Sequence, residues 1–170
     1  MEKVVLVDEN DQEIGSMDKL EAHVQGVLHR AFSILIFNSD GEMLIQKRAS
    51  SKYHSGGLWT NACCSHPSPG ETMETATRRR LFYEMGIDTP MTFAYKFIYK
   101  TELDRNLTEH ECDHVFVGTY DGEPTVNPEE VEDWRYVSLP ELRREVAAHP
   151  EQFTYWFRMI LNDAAIEQFA

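Results

Sequence analysis

A chain of 170 residues with 42% hydrophobic and 26% charged residues fits one soluble globular domain, long enough to bury a real core. Its formal charge of −13 excludes a general nucleic-acid surface, because phosphate backbones need clustered Lys and Arg. The longest apolar run, Ile34 to Phe37, is far too short for a membrane span, and three cysteines, two of them adjacent, make no disulfide framework. The opening Met-Glu-Lys leads into Val4-Val5-Leu6-Val7, a strand pattern and not a signal peptide, so a cytoplasmic location is the default expectation. Nothing in the sequence points to an obligate protein partner.

In chain order, Val4 to Val7, the turn-like Asp8 to Asp11 and Glu13 to Gly15 predict a short hairpin. Ala31 to Phe37 and Met43 to Arg48 alternate as strands on either side of Asn38-Ser39-Asp40-Gly41, a strong hairpin signal. Seventeen loop-like residues follow, Ser50 to His66, and an unstructured stretch of that length inside a compact domain is usually functional. Thr72 to Met85 reads as a helix closed by Gly86. Strands are expected around Thr92 to Thr101, Asp113 to Tyr120 and Trp134 to Val137, then a helix from Pro140 to His149 stopped by Pro150. Phe153, Phe157, Ile160 and Ala164 stand at helical spacing in a last helical segment, 153 to 169. The fold class is α/β (α+β), with mixed strands and a few helices in one domain.

Histidines and glutamates gather where the pattern reads as strand ends and loops. His23 and His29 bracket the second strand's start, His66 closes the long loop, and Glu109 and Glu111 point to one side of an extended segment. Three imidazoles with two carboxylates suit a borderline divalent cation such as Mn²⁺, Zn²⁺ or Fe²⁺.

The helix carries a further signal. Arg79-Arg80-Leu81-Phe82-Tyr83-Glu84-Met85-Gly86-Ile87 resembles the R-E-U-x-E-E-x-G-U core of the Nudix box, with U aliphatic; Glu71 falls at the box's upstream glutamate and Ser65 at its first glycine. The degenerate box thus runs from about 65 to 87, and the resemblance implies a Nudix-type mixed sheet sandwiched by helices. In Nudix hydrolases the helix glutamates hold Mg²⁺ against a diphosphate. Here Arg80 and Tyr83 stand where two of those acids belong, leaving Glu84. Arg78, Arg79 and Arg80 suit diphosphate binding better than a cluster of metal ions.

Lys19-Leu20-Glu21-Ala22-His23, Leu28 to Ser33, Gln46-Lys47-Arg48-Ala49, Trp59-Thr60-Asn61-Ala62-Cys63-Cys64-Ser65-His66-Pro67 and Glu109-His110-Glu111 make the chain resemble the type I isopentenyl-diphosphate delta-isomerases over most of its length. The T-N-x-x-C-x-H-P string is the most specific. The sequence departs from the family's commoner pattern at Ser55-Gly56-Gly57 and in a short His23–His29 interval. The resemblance implies that His23, His29, His66, Glu109 and Glu111 bind a divalent ion (Mn²⁺, Zn²⁺ or Mg²⁺). Cys64 and Glu111 would be the proton-handling pair, with Tyr99 beside the glutamate and Trp156 over the reacting carbons. Lys19, Arg48, Lys52 and Arg80 would surround the diphosphate of a small-molecule substrate, and Glu84 would help hold Mg²⁺ brought in with it. Cys63 and Cys112 fall in a structural class. The alternative is a Nudix pyrophosphohydrolase acting on a nucleoside diphosphate derivative, which leaves Cys64 and the extra histidines unexplained.

Overall fold

Alternate side chains of the central apolar run face two separate cores, and the fold is organised around that division. The computed structural model describes residues 2–170, with elements β1 (Lys3–Val7), β2 (Glu13–Asp18), α1 (Lys19–Gln25), β3 (His29–Phe37), β4 (Met43–Arg48), β5 (Trp59–Thr60) and β6 (Cys63–Ser65). These are followed by α2 (Met73–Met85), β7 (Met91–Glu102), β8 (Thr108–Thr119), β9 (Val131–Val137), α3 (Leu139–Ala148) and α4 (Tyr155–Asn162).

The strands form one mixed sheet. β8 runs parallel to β3 in unbroken register from His29↔Glu111 to Phe37↔Thr119, and β7 pairs antiparallel with the outer edge of β8. The other edge of β3 has three partners in turn: β1 at His29, β6 at Phe32 to Ile34, and β4 at Ile36 and Phe37. Side chains alternate across a strand. Phe32, Ile34 and Ile36 therefore pack with Leu81 and Met85 of α2, while Leu35 and Phe37 pack with Leu142 of α3 and with Phe157 and Ile160 of α4. Helices cover both faces, as the Nudix resemblance implies.

The expected hairpin is real only at its tip. The turn closes with Asn38 N–H donating to Glu42 O at 2.9 Å, but β3 and β4 pair only at Ile36↔Leu44 and Phe37↔Met43. Beyond that they are wedged apart by the segment expected to be loop, whose β5 pairs with β4 and whose β6 pairs with β3. Asn61 sits between them, and its Nδ2 donates to Ile34 O at 3.1 Å and Cys63 O at 2.9 Å. The side-chain amide supplies donors that backbone pairing lacks at this fork.

α2 has the expected ends. Thr72 caps it by accepting from Thr75 N at 3.2 Å, and Gly86 closes it at φ +67°, where a Cβ would meet Thr125 O at 2.8 Å. The last helix is shorter than its spacing suggests. α4 ends at Asn162, and Asp163 accepts from Ala165 N at 2.9 Å to start a separate 3₁₀ turn, Ala164–Phe169. α1 is an unexpected helix. No helix among the described residues is long and apolar enough to cross a membrane.

Candidate active site

The parity that sorts the cores also sorts the chemistry. His29 of β3 pairs with Glu111 of β8, which pairs in turn with Tyr99 of β7, so all three stand in one row across the sheet. Glu109 lies one pleat further along the same face, and Ser33, two pleats from His29 on that face of β3, pairs with Cys64 of β6. Cys63 pairs with Ile34 and enters the α2 core fully buried. α1 brings in His23, the end of β6 leads to His66, and α4 brings in Trp156. Of these, Ser33, Cys64, His66, Glu109, Glu111 and Trp156 line a cavity of about 250 Å³.

At one end the imidazoles converge. Nε2 of His29 and Nε2 of His66 lie 2.9 and 3.0 Å from Glu111 Oε2, and His23 Nε2 lies 3.6 Å from Glu109 Oε2. The Nδ1 atoms of His23 and His29 meet the carbonyls of Lys19 and Val27 at 2.8 and 3.0 Å. An imidazole whose Nδ1 is held by a carbonyl is fixed with its Nε2 towards the shared space. His23 Nε2 is buried there without a hydrogen-bond partner, and donor atoms of His23, His29, His66 and Glu111 all lie within 4.8 Å of one another. This donor set fits a divalent metal: three imidazole nitrogens and a carboxylate gathered in one place, one of the nitrogens unsatisfied.

Electrostatics divide the two carboxylates. Burial pushes Glu111 up, but hydrogen bonds from His29 and His66 more than offset it and hold the carboxyl well below its usual range. Glu109 is raised by burial and by the neighbouring Glu111 charge. Tyr99 Oη lies 2.8 Å from Glu111 Oε1 and also contacts Glu109. Its single proton serves one carboxylate at a time, so Tyr99 links the two acids. Burial, then the charges of Glu109 and Glu111, raise the Tyr99 phenol well above 10.

At the other end the Cys64 thiol has defined partners. Its Sγ donates to Asn61 Oδ1 at 3.0 Å and accepts from Trp156 Nε1 at 2.9 Å. The same Oδ1 accepts from Thr60 Oγ1 at 2.9 Å. Burial, followed by the Asp113 charge, pushes the thiol up to about 12 against opposition from Arg48 and the Thr60 and Trp156 hydrogen bonds. Asp113 is itself buried, accepts from Ser33 Oγ at 2.7 Å, and is raised well above the carboxylate range by burial and Glu111.

The four expected diphosphate cations all line the cavity, and three of them are paired with acids: Lys19 with Glu2 at 2.8 Å, Lys52 with Glu130 at 3.4 Å, and Arg80 with Glu130 at 2.7 Å. Arg48 donates to His54 O at 3.1 Å and lies 5.5 Å from the Trp156 ring centre. Of the three arginines expected to suit diphosphate binding, only Arg80 lines the cavity. Arg78 pairs outward with Asp88 and Arg79 with Glu71, because successive helical residues point about 100° apart. Glu84 stands apart from the imidazoles: it is buried, accepting from Gln46 Nε2 at 3.1 Å and from Arg80 at 2.6 Å. Sequence reasoning missed Asn61 as a partner of Cys64, along with Tyr53, His54 and Asp113. A His inside the long loop was the one available signal for His54.

Comparison with known proteins gives the class first. The family model described as NUDIX domain matches residues 27–157. A crystal structure of a Deinococcus radiodurans protein superposes with TM-score 0.79 at 19% identity, covering 94% of this chain and 97% of that one. A MutT protein from Methanosarcina mazei gives TM-score 0.65 at 20% identity over 79% of this chain and 90% of its own. At that identity these two speak for the fold alone, and the fold is that of a NUDIX domain. Sequence relatives are more specific. An isopentenyl-diphosphate Delta-isomerase 2 of Aromatoleum aromaticum is 48% identical over 95% of this chain and 85% of its own length. Its namesake in Photorhabdus laumondii is 50% identical over 95% and 91%. The chain belongs to the isopentenyl-diphosphate Delta-isomerase family of NUDIX proteins.

Proposed function

We propose that this chain interconverts isopentenyl and dimethylallyl diphosphate, with Cys64 and Glu111 as the two proton-handling groups. The observation that carries the assignment is their convergence from different strands on one cavity, each held by its own hydrogen bonds. Shifting the double bond adds a proton to the terminal alkene carbon and removes one from C2, with tertiary cationic character between. One group gives a proton and the other takes one, and the roles exchange in the reverse direction. Residues on two walls of one cavity can serve two carbons of one substrate.

The remaining side chains answer the demands of that path. An alkene is a poor base, so the donor must lie close and water must be kept away; Trp156, 3% exposed, helps close the cavity over Cys64. Its indole face is an apolar, electron-rich surface for cationic carbon, an attraction worth about 2 kcal/mol when desolvated. Tyr99 orients Glu111 and supplies a proton path to Glu109. Lys19, Arg48, Lys52 and Arg80 hold the diphosphate, whose oxygens take over from Glu2 and Glu130 as partners of the two lysines and Arg80. His23, His29, His66, Glu109 and Glu111 hold a divalent metal, which when bound acidifies and orients nearby oxygen acids. Glu84 is assigned to Mg²⁺ accompanying the diphosphate, a role that requires it to exchange its contact with Arg80.

The test is incubation with isopentenyl diphosphate and a divalent metal in D₂O, followed by NMR. Dimethylallyl product carrying deuterium is expected, and no product with any metal overturns the assignment. A nucleoside diphosphate panel is expected to release no phosphate, consistent with Arg80 and Tyr83 in place of box acids.

A further inference from the structure

His54 lies in the middle of the long loop, yet it is only 5% exposed and lines the cavity. Its backbone carbonyl is clamped by Arg48 at 3.1 Å, and its Nδ1 lies 3.0 Å from Ser55 Oγ. The ring is thereby fixed with Nε2 directed at Glu109. Nε2 stands 3.4 Å from Glu109 Oε2 without forming a hydrogen bond, and the ring centre is 5.4 Å from that of His23. His23 Nε2, the orphaned atom of the metal cluster, lies 3.6 Å from the same carboxylate oxygen.

These three atoms form a buried triangle whose measured sides are too long for good hydrogen bonds. Atoms bound at about 2.0–2.2 Å to one small divalent ion stand roughly 3.0–3.5 Å from their neighbours, close to the separations here. Donor atoms of His23, His54 and Glu109 lie within 4.8 Å of one another, as do those of His23, His29, His66 and Glu111, and His23 belongs to both groups.

We infer that His54 is a further ligand of the metal centre, bound through Nε2 beside His23 and Glu109. The inference rests on the proposed metal site and extends it. The centre then has four imidazoles and two carboxylates, a six-donor set richer in nitrogen than the one the family resemblance implies. More nitrogen favours later first-row divalent ions over Mg²⁺, which prefers oxygen. His54 therefore bears on which ion the protein selects.

Affinity alone does not separate a ligand from a residue that steadies Glu109, since loss of an outer hydrogen bond also costs about 10–100-fold in metal binding. The experiment loads full-length protein with Co²⁺ and records its visible bands and X-ray absorption fine structure. Native protein, His54→Ala and His54→Gln are compared, with circular dichroism to verify folding. Four coordinated imidazoles are expected in the native protein and three in both variants, with shifted visible bands. Titration should also show Co²⁺ affinity falling at least tenfold in the variants while Mg²⁺ affinity changes less. An unchanged imidazole count and visible spectrum in folded His54→Gln overturn the inference and leave the five-residue site standing. Failure of the native protein to take up Co²⁺ overturns both.

Discussion

Cys63 and Cys64 are neighbours in sequence but belong to different regions of the molecule. Cys64 faces the cavity, where its sulfur is hydrogen-bonded to Asn61 and Trp156. Cys63 faces α2 and packs among Ile34, Ala62, Ala76 and Leu81. The same contrast runs along β8, where Glu111 enters the site and Cys112 packs with Val5, Val7 and Leu28 on the other side. A two-residue pleat, and not residue type, divides chemistry from scaffold. One face carries the candidate reacting groups and the other packs against the core.

The sharpest way to break this comparison is substitution on the cavity face. Cys64→Ala and Glu111→Gln should each lower turnover by roughly 10²–10⁴-fold, the span of a lost proton-transfer group. Cys64→Ala should melt within a few degrees of the native protein. Near-normal dimethylallyl formation by Cys64→Ala would remove the thiol from the reaction.

On the α2 face the expected losses are in stability. Leu81 is fully buried, and Leu81→Ala should cost about 2–5 kcal/mol in urea unfolding while the folded fraction keeps its rate. Cys63→Ser buries a hydroxyl in an apolar core and should cost about 1–3 kcal/mol, again with turnover retained. If Cys63→Ser lost turnover at native stability, the division between the faces would fail.

A smaller effect sharpens the electrostatic side. Burial, with the charges of Arg48 and His23, lowers His54 to about 2, whereas unfolded histidine titrates near about 6.5. Below pH 6.5 the unfolded chain therefore binds a proton that the fold refuses, so this contribution to stability falls as pH falls. In chelator-treated protein, the stability of the native chain relative to His54→Gln should drop by about 1 kcal/mol between pH 7 and 5.5. Urea melts at the two pH values measure it; a difference that rises on acidification would show His54 charged in the fold.

Much of the fold could be read from local patterns. α2 was legible because Thr72, the helical run and Gly86 each mark it independently. α1 was not, because it buries Ala22 and His23 while Leu20 and Val24 stay more than half exposed, so hydrophobic periodicity gives no sign of it. The β3–β4 hairpin was legible at its Asp40-Gly41 turn, but its fork depends on β5 and β6, two and three residues long, which pair with strands distant in sequence. The candidate ligands and the Cys64–Glu111 pair were named from residue type and from the T-N-x-x-C-x-H-P resemblance. The sequence by itself named the candidate residues and, through the two-residue strand period, placed Glu109 and Glu111 on one side. Only the tertiary structure decided which groups meet. The parallel register of β3 with β8 and the closing of α4 join segments some 80 to 95 residues apart, bringing His29 to Glu111 and Trp156 to Cys64, while β6 wedges in from a nearer part of the chain. Such long-range pairing is fixed by packing the whole sheet between its two cores, and no local pattern in the sequence encodes it.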